Sequence, residues 1–173
     1  MSSSNPVILV IPGSFSTAQM YYSVLTALST LLPQTPTYVT NLPSAIRNAP
    51  EPAATLADDA TFFTSLIEKL ADEGGKDVIL VAHSYGGVVA TEIKGVSKTE
   101  REAAGKKGGV VRIVYLAAHV VEEGKSLEEQ VGGTNSEVVS IGEVWTKTRF
   151  SLTLFFPSLG EGDWVWCDWR LTD

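Results

Sequence analysis

The sequence has 173 residues, of which 44% are hydrophobic and 19% are charged. These proportions are typical of a single folded domain with a sizeable core, and they argue against long disordered segments. The formal net charge of −7, from 13 basic and 20 acidic residues, disfavours binding to nucleic acid or to an anionic membrane.

The two ends of the chain carry little chemical information. Residues 1–5 form a polar tail without the basic and apolar regions of a signal peptide, and no run of 18 apolar residues occurs. We therefore expect a cytoplasmic protein. The single cysteine, Cys167, excludes an intrachain disulfide and a cysteine metal cluster, and we interpret it as an unreactive thiol.

The first predicted strand is the apolar run V-I-L-V-I at residues 7–11, which a Pro-Gly turn ends. Ser16 and Gln19 have the spacing of a capping box, in which each side chain bonds the other residue's backbone amide. They predict the start of a helix that Pro33 ends. The apolar face of this helix consists of Tyr21, Val24, Leu25, Leu28 and Leu32.

A weaker strand is predicted at residues 37–40, and three prolines within residues 41–52 predict a loop without regular structure. Thr55 and Asp58 then form a second capping pair, which starts a helix that ends at Gly74 and Gly75. The charged residues opposite its apolar stripe are interpreted as a solvated face. They are Asp58, Asp59, Glu68, Lys69 and Asp72.

Residues 78–87 read V-I-L-V-A-H-S-Y-G-G, which is typical of a buried parallel strand that turns sharply into a helix. Ser84 stands at the tip of the predicted turn. Such a turn crowds the backbone, and Ala82 and Gly86 supply the small residues needed two positions to either side. The pattern is that of a nucleophile elbow, G-x-S-x-G, with alanine at the first glycine position.

Ser97 and Glu100 form a third capping box before a short charged helix, and residues 105–109 form a glycine-rich solvent loop. A fourth strand is predicted at residues 110–118. Alternation of strands and helices up to this point predicts an α/β fold with a parallel sheet flanked by helices.

The pattern changes from His119 onward. We interpret residues 121–173 as a partial lid region and an atypical tail, in which residues 146–157 form an amphipathic lid or an unfinished helix. Three of the four tryptophans fall within residues 164–169, a stretch that fits neither an alternating strand nor a capped helix.

Four motifs together resemble the α/β-hydrolase superfamily. They are I-P-G-S-F at residues 11–15, N-L-P-S at 41–44, V-A-H-S-Y-G-G at 81–87 and V-Y-L-A-A at 114–118. More narrowly, they resemble the compact esterase-like branch that includes plant methylesterase and hydroxynitrile-lyase relatives and fungal hydrolases. The resemblance covers residues 6–120, the predicted core. It implies strands in the spatial order second, first, third, fourth, in a partial fold that lacks the last strands.

The resemblance also implies the chemistry. Ser84 is the expected nucleophile, and the oxyanion hole is expected from the backbone amides of Tyr85 and of Ser14 or Phe15. Gly13, Phe15 and His119 are expected to line the substrate pocket. The implied activity is hydrolysis of an ester or other acyl bond in a small, apolar substrate.

The catalytic base is the weak point of this prediction. In the family the triad acid and histidine follow later strands, and the chain ends before either. We interpret His83 as a structural residue of the elbow. His119 lies past the fourth strand, on the same sheet edge as Ser84, and is the candidate base. The candidate acids to pair with it are Glu122, Glu123 and Asp163.

Three interpretations stay open at this point. The chain is a C-terminally truncated hydrolase with weak or no turnover, a non-catalytic hydrolase-like binding module for a small molecule, or an enzyme in which His119 replaces the missing base. Lyase chemistry on the same fold is a further alternative. No metal or organic cofactor is expected, because the sequence has no two-histidine helix motif, no G-x-G-x-x-G after a strand and no P-loop. The sequence gives no indication of the oligomeric state.

Overall fold

The computed structural model describes residues 6–121 together with the backbone of two short strands near the C-terminus. The first four strands are β1 (Val7–Ile11), β2 (Thr37–Val39), β3 (Asp77–His83) and β4 (Gly109–Leu116). The helices are α1 (Tyr22–Leu31), α2 (Pro43–Ile46), α3 (Leu56–Gly74), α4 (Gly86–Glu92) and α5 (Lys98–Ala103). The last two strands, β5 (Ser151–Leu154) and β6 (Val165–Asp168), pair antiparallel with each other.

The first four strands form one parallel sheet in the order β2-β1-β3-β4. This order confirms the prediction. All five residues of β1 are buried, as expected for an apolar central strand that has neighbours on both edges and helices on both faces. Because the strands are parallel, the loops that follow them meet at one edge of the sheet, the carboxyl edge.

Alternate residues of β1 face opposite sides of the sheet. Val7, Leu9 and Ile11 belong to a core cluster with Phe63 and Ile67 of α3. On the other face, the smaller cluster consists of Ile8, Val10 and Tyr21, with Leu25 and Leu28 of α1 packed against it. Helix α3 therefore covers one face and α1 the other, although α1 itself has no fully buried residue.

Two of the three predicted capping boxes are present. Thr55 with Asp58 starts α3, Ser97 with Glu100 starts α5, and Gly75 ends α3 in the left-handed conformation with φ 58°. The box predicted at Ser16 and Gln19 is wrong. A single 3-10 turn occupies Ala18–Tyr21 after Thr17, the Ser16 hydroxyl donates to Ser14 O, and the N–H of Ala18 donates to Oδ1 of Asn41 at 2.7 Å.

Three other local predictions are also wrong. Residues 41–52 are not all loop, because Pro43 begins the one-turn helix α2, and proline fits the first helical position, where no N–H is needed. Residues 151–154 are a strand rather than part of a lid helix, and the tryptophan-rich stretch contains β6.

The candidate acids Glu122, Glu123 and Asp163 lie outside the described residues, as does the polar tail at residues 1–5.

Candidate active site

Ser84 stands at the tip of a sharp turn between β3 and α4, as the elbow pattern predicts. Its φ of 53° lies in the left-handed region, which non-glycine residues rarely adopt and which costs about 1–3 kcal/mol. The surrounding backbone holds this conformation: the Ser84 N–H donates to Leu116 O at 3.3 Å, and the Ser84 carbonyl accepts from Gly87 N and His119 N at 3.0 and 3.1 Å. Ser84 is therefore fixed at the carboxyl edge of the sheet, next to the end of β4.

The two glycines after Tyr85 let the elbow pack closely against its neighbours. A Cβ added to Gly86 would lie 2.5 Å from the carbonyl oxygen of Ile11, and one added to Gly87 would lie 2.3 Å from that of His119. Neither distance is possible for a real side chain. The glycines thus place α4 directly against the ends of β1 and β4.

The loop after β1, residues 12–17, lies beside Ser84. An ideal Cβ on buried Gly13 would be 3.0 Å from the Cβ of Ser84, so this loop and the elbow are in contact. Phe15 adopts a φ of 59° and its side chain is 86% exposed. Within residues 6–121, the amides of Ser14, Phe15 and Tyr85 donate to no protein acceptor. These three amides are the predicted oxyanion donors.

A chain of hydrogen bonds joins this loop to the elbow. The N–H of Gly13 donates to the hydroxyl oxygen of Tyr21 at 2.8 Å, and the same oxygen lies 2.7 Å from Nδ1 of His83. The hydroxyl can donate its proton to Nδ1 of a neutral imidazole or accept a proton from Nδ1–H, so the direction of this bond depends on the tautomer of His83. Burial lowers the pKa of His83, which favours the neutral form.

The two histidines therefore stand in different settings. His83 bonds Tyr21 through Nδ1, in keeping with its interpretation as a structural residue. His119 lies beside the elbow, where its backbone N–H binds the Ser84 carbonyl and its side chain is exposed. Within residues 6–121, neither imidazole is hydrogen-bonded to the hydroxyl of Ser84. The role of His119 as a base stays a prediction.

Comparison with known proteins decides the family. The alpha/beta hydrolase family model matches residues 8–170. The chain belongs to the α/β-hydrolase family. It is 36% identical over 135 residues to "Probable hydrolase R7" of Phoma sp., a match that covers 78% of this chain and 51% of the relative. It is 32% identical over 127 residues to "Alpha/beta hydrolase nvfD" of Aspergillus novofumigatus, covering 73% of this chain and 48% of the relative.

A solved structure supports the α/β-hydrolase fold independently. A mutant of polyneuridine aldehyde esterase superposes with a TM-score of 0.51 at 17% identity, over 75% of this chain and 48% of that chain. The chain thus spans about half the length of the hydrolases that it matches.

One prediction near the hydrolase elbow is wrong. The sequence pattern predicts that Asp59 lies on the solvated face of α3, but its side chain is 0% exposed. Its Oδ1 accepts the N–H of Ser44 at 2.9 Å, and its Oδ2 accepts the hydroxyls of Ser44 at 2.6 Å and of Tyr85 at 3.2 Å. Burial is the largest cause that raises the pKa of the Tyr85 phenol, and the charge of Asp59 and its hydrogen bond to the phenol raise it further. The phenol therefore keeps its proton and acts as a hydrogen-bond donor at all ordinary pH values.

Sequence reasoning missed both Asp59 and the hydroxyl of Tyr21 as polar groups of the site. Helical periodicity placed Tyr21 on an apolar face and Asp59 on a charged one. The available signals were weak: a tyrosine on an apolar face often needs a partner for its hydroxyl, and Asp59 is nearer to the apolar stripe than its neighbour Asp58.

No helix within the described residues is long and apolar enough to span a membrane.

Proposed function

We propose that this α/β-hydrolase acts on ester or other acyl bonds of small, apolar molecules, with Ser84 as the nucleophile. The observation that carries the proposal is the left-handed Ser84 at the carboxyl edge, next to amides of Tyr85, Ser14 and Phe15 that have no acceptor within residues 6–121. Family membership and the two relatives named as hydrolases support the same reaction class.

In the proposed reaction, Ser84 Oγ attacks the carbonyl carbon of the substrate and loses its proton to a base. The negative charge that forms on the carbonyl oxygen is held by the amides of Tyr85 and Ser14, each contributing about 3 kcal/mol to lowering the barrier. The bond to the alcohol then breaks, the alcohol leaves with a proton, and an acyl-serine remains. Water hydrolyses this intermediate to the carboxylic acid and restores Ser84.

Weak turnover by this 173-residue chain is part of the proposal. The sequence contains only His83 and His119, and His83 is engaged with Tyr21. Losing general base catalysis lowers a rate by about 10²- to 10⁴-fold. His119, exposed beside the elbow, is the residue proposed to supply residual base catalysis.

Hydrolysis of p-nitrophenyl acetate tests the proposal. We expect the wild type to release p-nitrophenol slowly and Ser84→Ala to release none. His119→Ala should release it more slowly than the wild type if that imidazole is the base. Ser16→Ala is a matched control, because Ser16 belongs to the neighbouring loop but its hydroxyl faces the carbonyl of Ser14. Release that is equal in the wild type and in Ser84→Ala would exclude Ser84 as the nucleophile.

A second candidate function is that of a non-catalytic binding module for a small molecule. The absence of a side-chain hydrogen bond to the Ser84 hydroxyl within residues 6–121 favours this alternative. It predicts that small aromatic esters raise the melting temperature equally in the wild type and in Ser84→Ala, without release of product. The acyl hydrolase instead predicts a Ser84-dependent covalent acyl adduct, detectable by mass spectrometry.

A further inference from the structure

The buried carboxylate of Asp59 takes no part in the proposed reaction. It lies in the first turn of α3 and is completely shielded from solvent. A buried carboxylate is costly unless donors surround it, and here three donors from two other segments point at its two oxygens. Asp59 therefore ties the start of α3 to both of these segments.

The first segment that Asp59 holds is the elbow itself. Tyr85 directly follows Ser84, so its backbone N–H is the candidate oxyanion donor while its hydroxyl donates to Asp59 at 3.2 Å. The peptide group between the two residues is held on the other side by the bonds of the Ser84 carbonyl to Gly87 N and His119 N. Anchoring the far end of the Tyr85 side chain restricts the remaining rotation of this residue, and with it the direction of its N–H.

The second segment is the N-L-P-S sequence at residues 41–44. At its end, the Ser44 N–H and hydroxyl both donate to Asp59. At its start, Asn41 accepts the N–H of Ala18, just beyond the loop that carries Ser14 and Phe15. Leu42, between them, is 0% exposed and packs in the main core. The four residues thus link Ala18, next to the loop after β1, to Asp59, and Asp59 in turn bonds Tyr85 of the elbow.

We propose that Asp59 is a positioning residue of the oxyanion hole: through Tyr85 it orients the elbow amide, and through Ser44 and Asn41 it holds that amide in place relative to the loop after β1. This inference rests on the proposed function, because an oxyanion hole matters only for acyl chemistry at Ser84. Displacing a catalytic group by about 1 Å costs about 100-fold in rate, so such positioning has a measurable effect.

The chemistry of the carboxylate explains why an aspartate is needed here. Three donors converge on Asp59, and only an ionised carboxylate accepts at both oxygens without donating. Asparagine has nearly the same shape, but its NH₂ group would face the N–H or the hydroxyls of Ser44 and Tyr85. Asp59→Asn therefore disrupts the connection while leaving the packing volume unchanged.

The test compares Asp59→Asn, Tyr85→Phe and the matched control Asp58→Asn. Asp58 is the adjacent carboxylate. It bonds Thr55 in the capping box and forms an ion pair with Arg47 at 3.4 Å, but it does not contact the elbow. The first measurement is the rate at which a fluorophosphonate probe labels Ser84, followed by intact mass. The second is amide hydrogen exchange of the peptides that cover residues 41–46 and 78–87.

We expect Asp59→Asn to label about 10- to 100-fold more slowly than the wild type, because a misaligned oxyanion donor acts on the transition state. Tyr85→Phe should show a smaller loss in the same direction. Combining the two changes should add little to the loss in Asp59→Asn, since both break the same connection. Amide exchange should rise in both peptides in Asp59→Asn, whereas Asp58→Asn should label at the wild-type rate.

The two measurements separate failure of the inference from failure of the proposed function. Labelling of Asp59→Asn and Tyr85→Phe at the wild-type rate would overturn the positioning role, even if Ser84 is the nucleophile. If the wild type itself shows no Ser84-dependent labelling, the proposed function fails. In that case a rise in exchange in Asp59→Asn but not in Asp58→Asn supports the connection as a structural feature, and equal exchange in both variants overturns it. Should Asp59→Asn not fold, Tyr85→Phe alone decides between these outcomes.

Discussion

The hydroxyl of Tyr21 lies 2.7 Å from Nδ1 of His83 and accepts the N–H of Gly13 at 2.8 Å. This one oxygen joins the 3-10 turn before α1 to the loop after β1 and to the last residue of β3. It satisfies the Gly13 amide and lies within hydrogen-bond distance of Nδ1 of His83. The candidate site is therefore supported by a polar group that the apolar pattern of the sequence conceals.

Tyr21→Phe removes this oxygen and leaves the buried amide of Gly13 without an acceptor. We expect the free energy of unfolding to fall by about 1–3 kcal/mol, the cost of an unsatisfied buried polar group. Urea denaturation of the variant against the wild type measures the change. Tyr22→Phe is the matched control, since the Tyr22 side chain is 59% exposed. Equal stability of the two variants would contradict a structural role for the Tyr21 hydroxyl.

The neutral state of His83 predicts a dependence of stability on pH. Burial lowers its pKa in the folded protein below the usual value of 6.5, so the unfolded chain takes up a proton on His83 more readily than the folded one. The contribution of neutral His83 is fully present above about pH 6.5 and decreases as the pH falls toward the lowered pKa. We expect the urea midpoint to fall between pH 7.5 and pH 5.5, and less steeply in His83→Gln. A wild-type slope in His83→Gln would refute the assignment.

Gly86→Ala tests the close approach of α4 to β1. The added Cβ would lie 2.5 and 2.8 Å from the carbonyl oxygens of Ile11 and Pro12, and these backbone atoms cannot move without distorting the sheet. We expect a loss of about 1–3 kcal/mol in unfolding free energy, the usual cost of overpacking. Gly74→Ala is the comparison, because its Cβ would meet only the flexible side chain of Lys76. Thermal denaturation of both variants distinguishes the two sites. An unchanged melting temperature in Gly86→Ala would show that α4 has room for a Cβ beside the carbonyl oxygens of Ile11 and Pro12.

Arg101 provides a test of a buried charge outside the site. It is 1% exposed, and it donates to the carbonyls of Lys107 and Gly108 and to the carboxylate of Asp72. Arg101→Gln should lower the free energy of unfolding by about 1.5–3 kcal/mol, the range for hydrogen bonds to a charged group. Lys98→Gln, which removes a partly exposed ion pair with Asp77, should cost clearly less, because solvent screens this pair. Similar losses in the two variants, measured by chemical denaturation, would argue against a special role of the buried guanidinium.

The sequence by itself determined the elements whose signals are local. The apolar run of β1, the elbow around Ser84 and the capping boxes at Thr55 and Ser97 all appear where their patterns predict them. Each depends on neighbours within a few residues along the chain, so backbone sterics and capping chemistry suffice. The order of the four parallel strands also followed, but through the resemblance to the α/β-hydrolases rather than through local pattern.

The tertiary structure alone decided the partners of the polar groups. Ser16 and Gln19 have the spacing of a capping box, but Asn41, which is 23 residues away from Ala18, caps that turn instead. Asp59 faces Tyr85, 26 residues further along, and so is buried rather than solvated. Periodicity reports which face of a helix a residue occupies, whereas the burial of a polar side chain depends on donors that distant segments bring to it. For this reason the position of Ser84 at the turn after β3 could be predicted from sequence, and the polar connections around it could not.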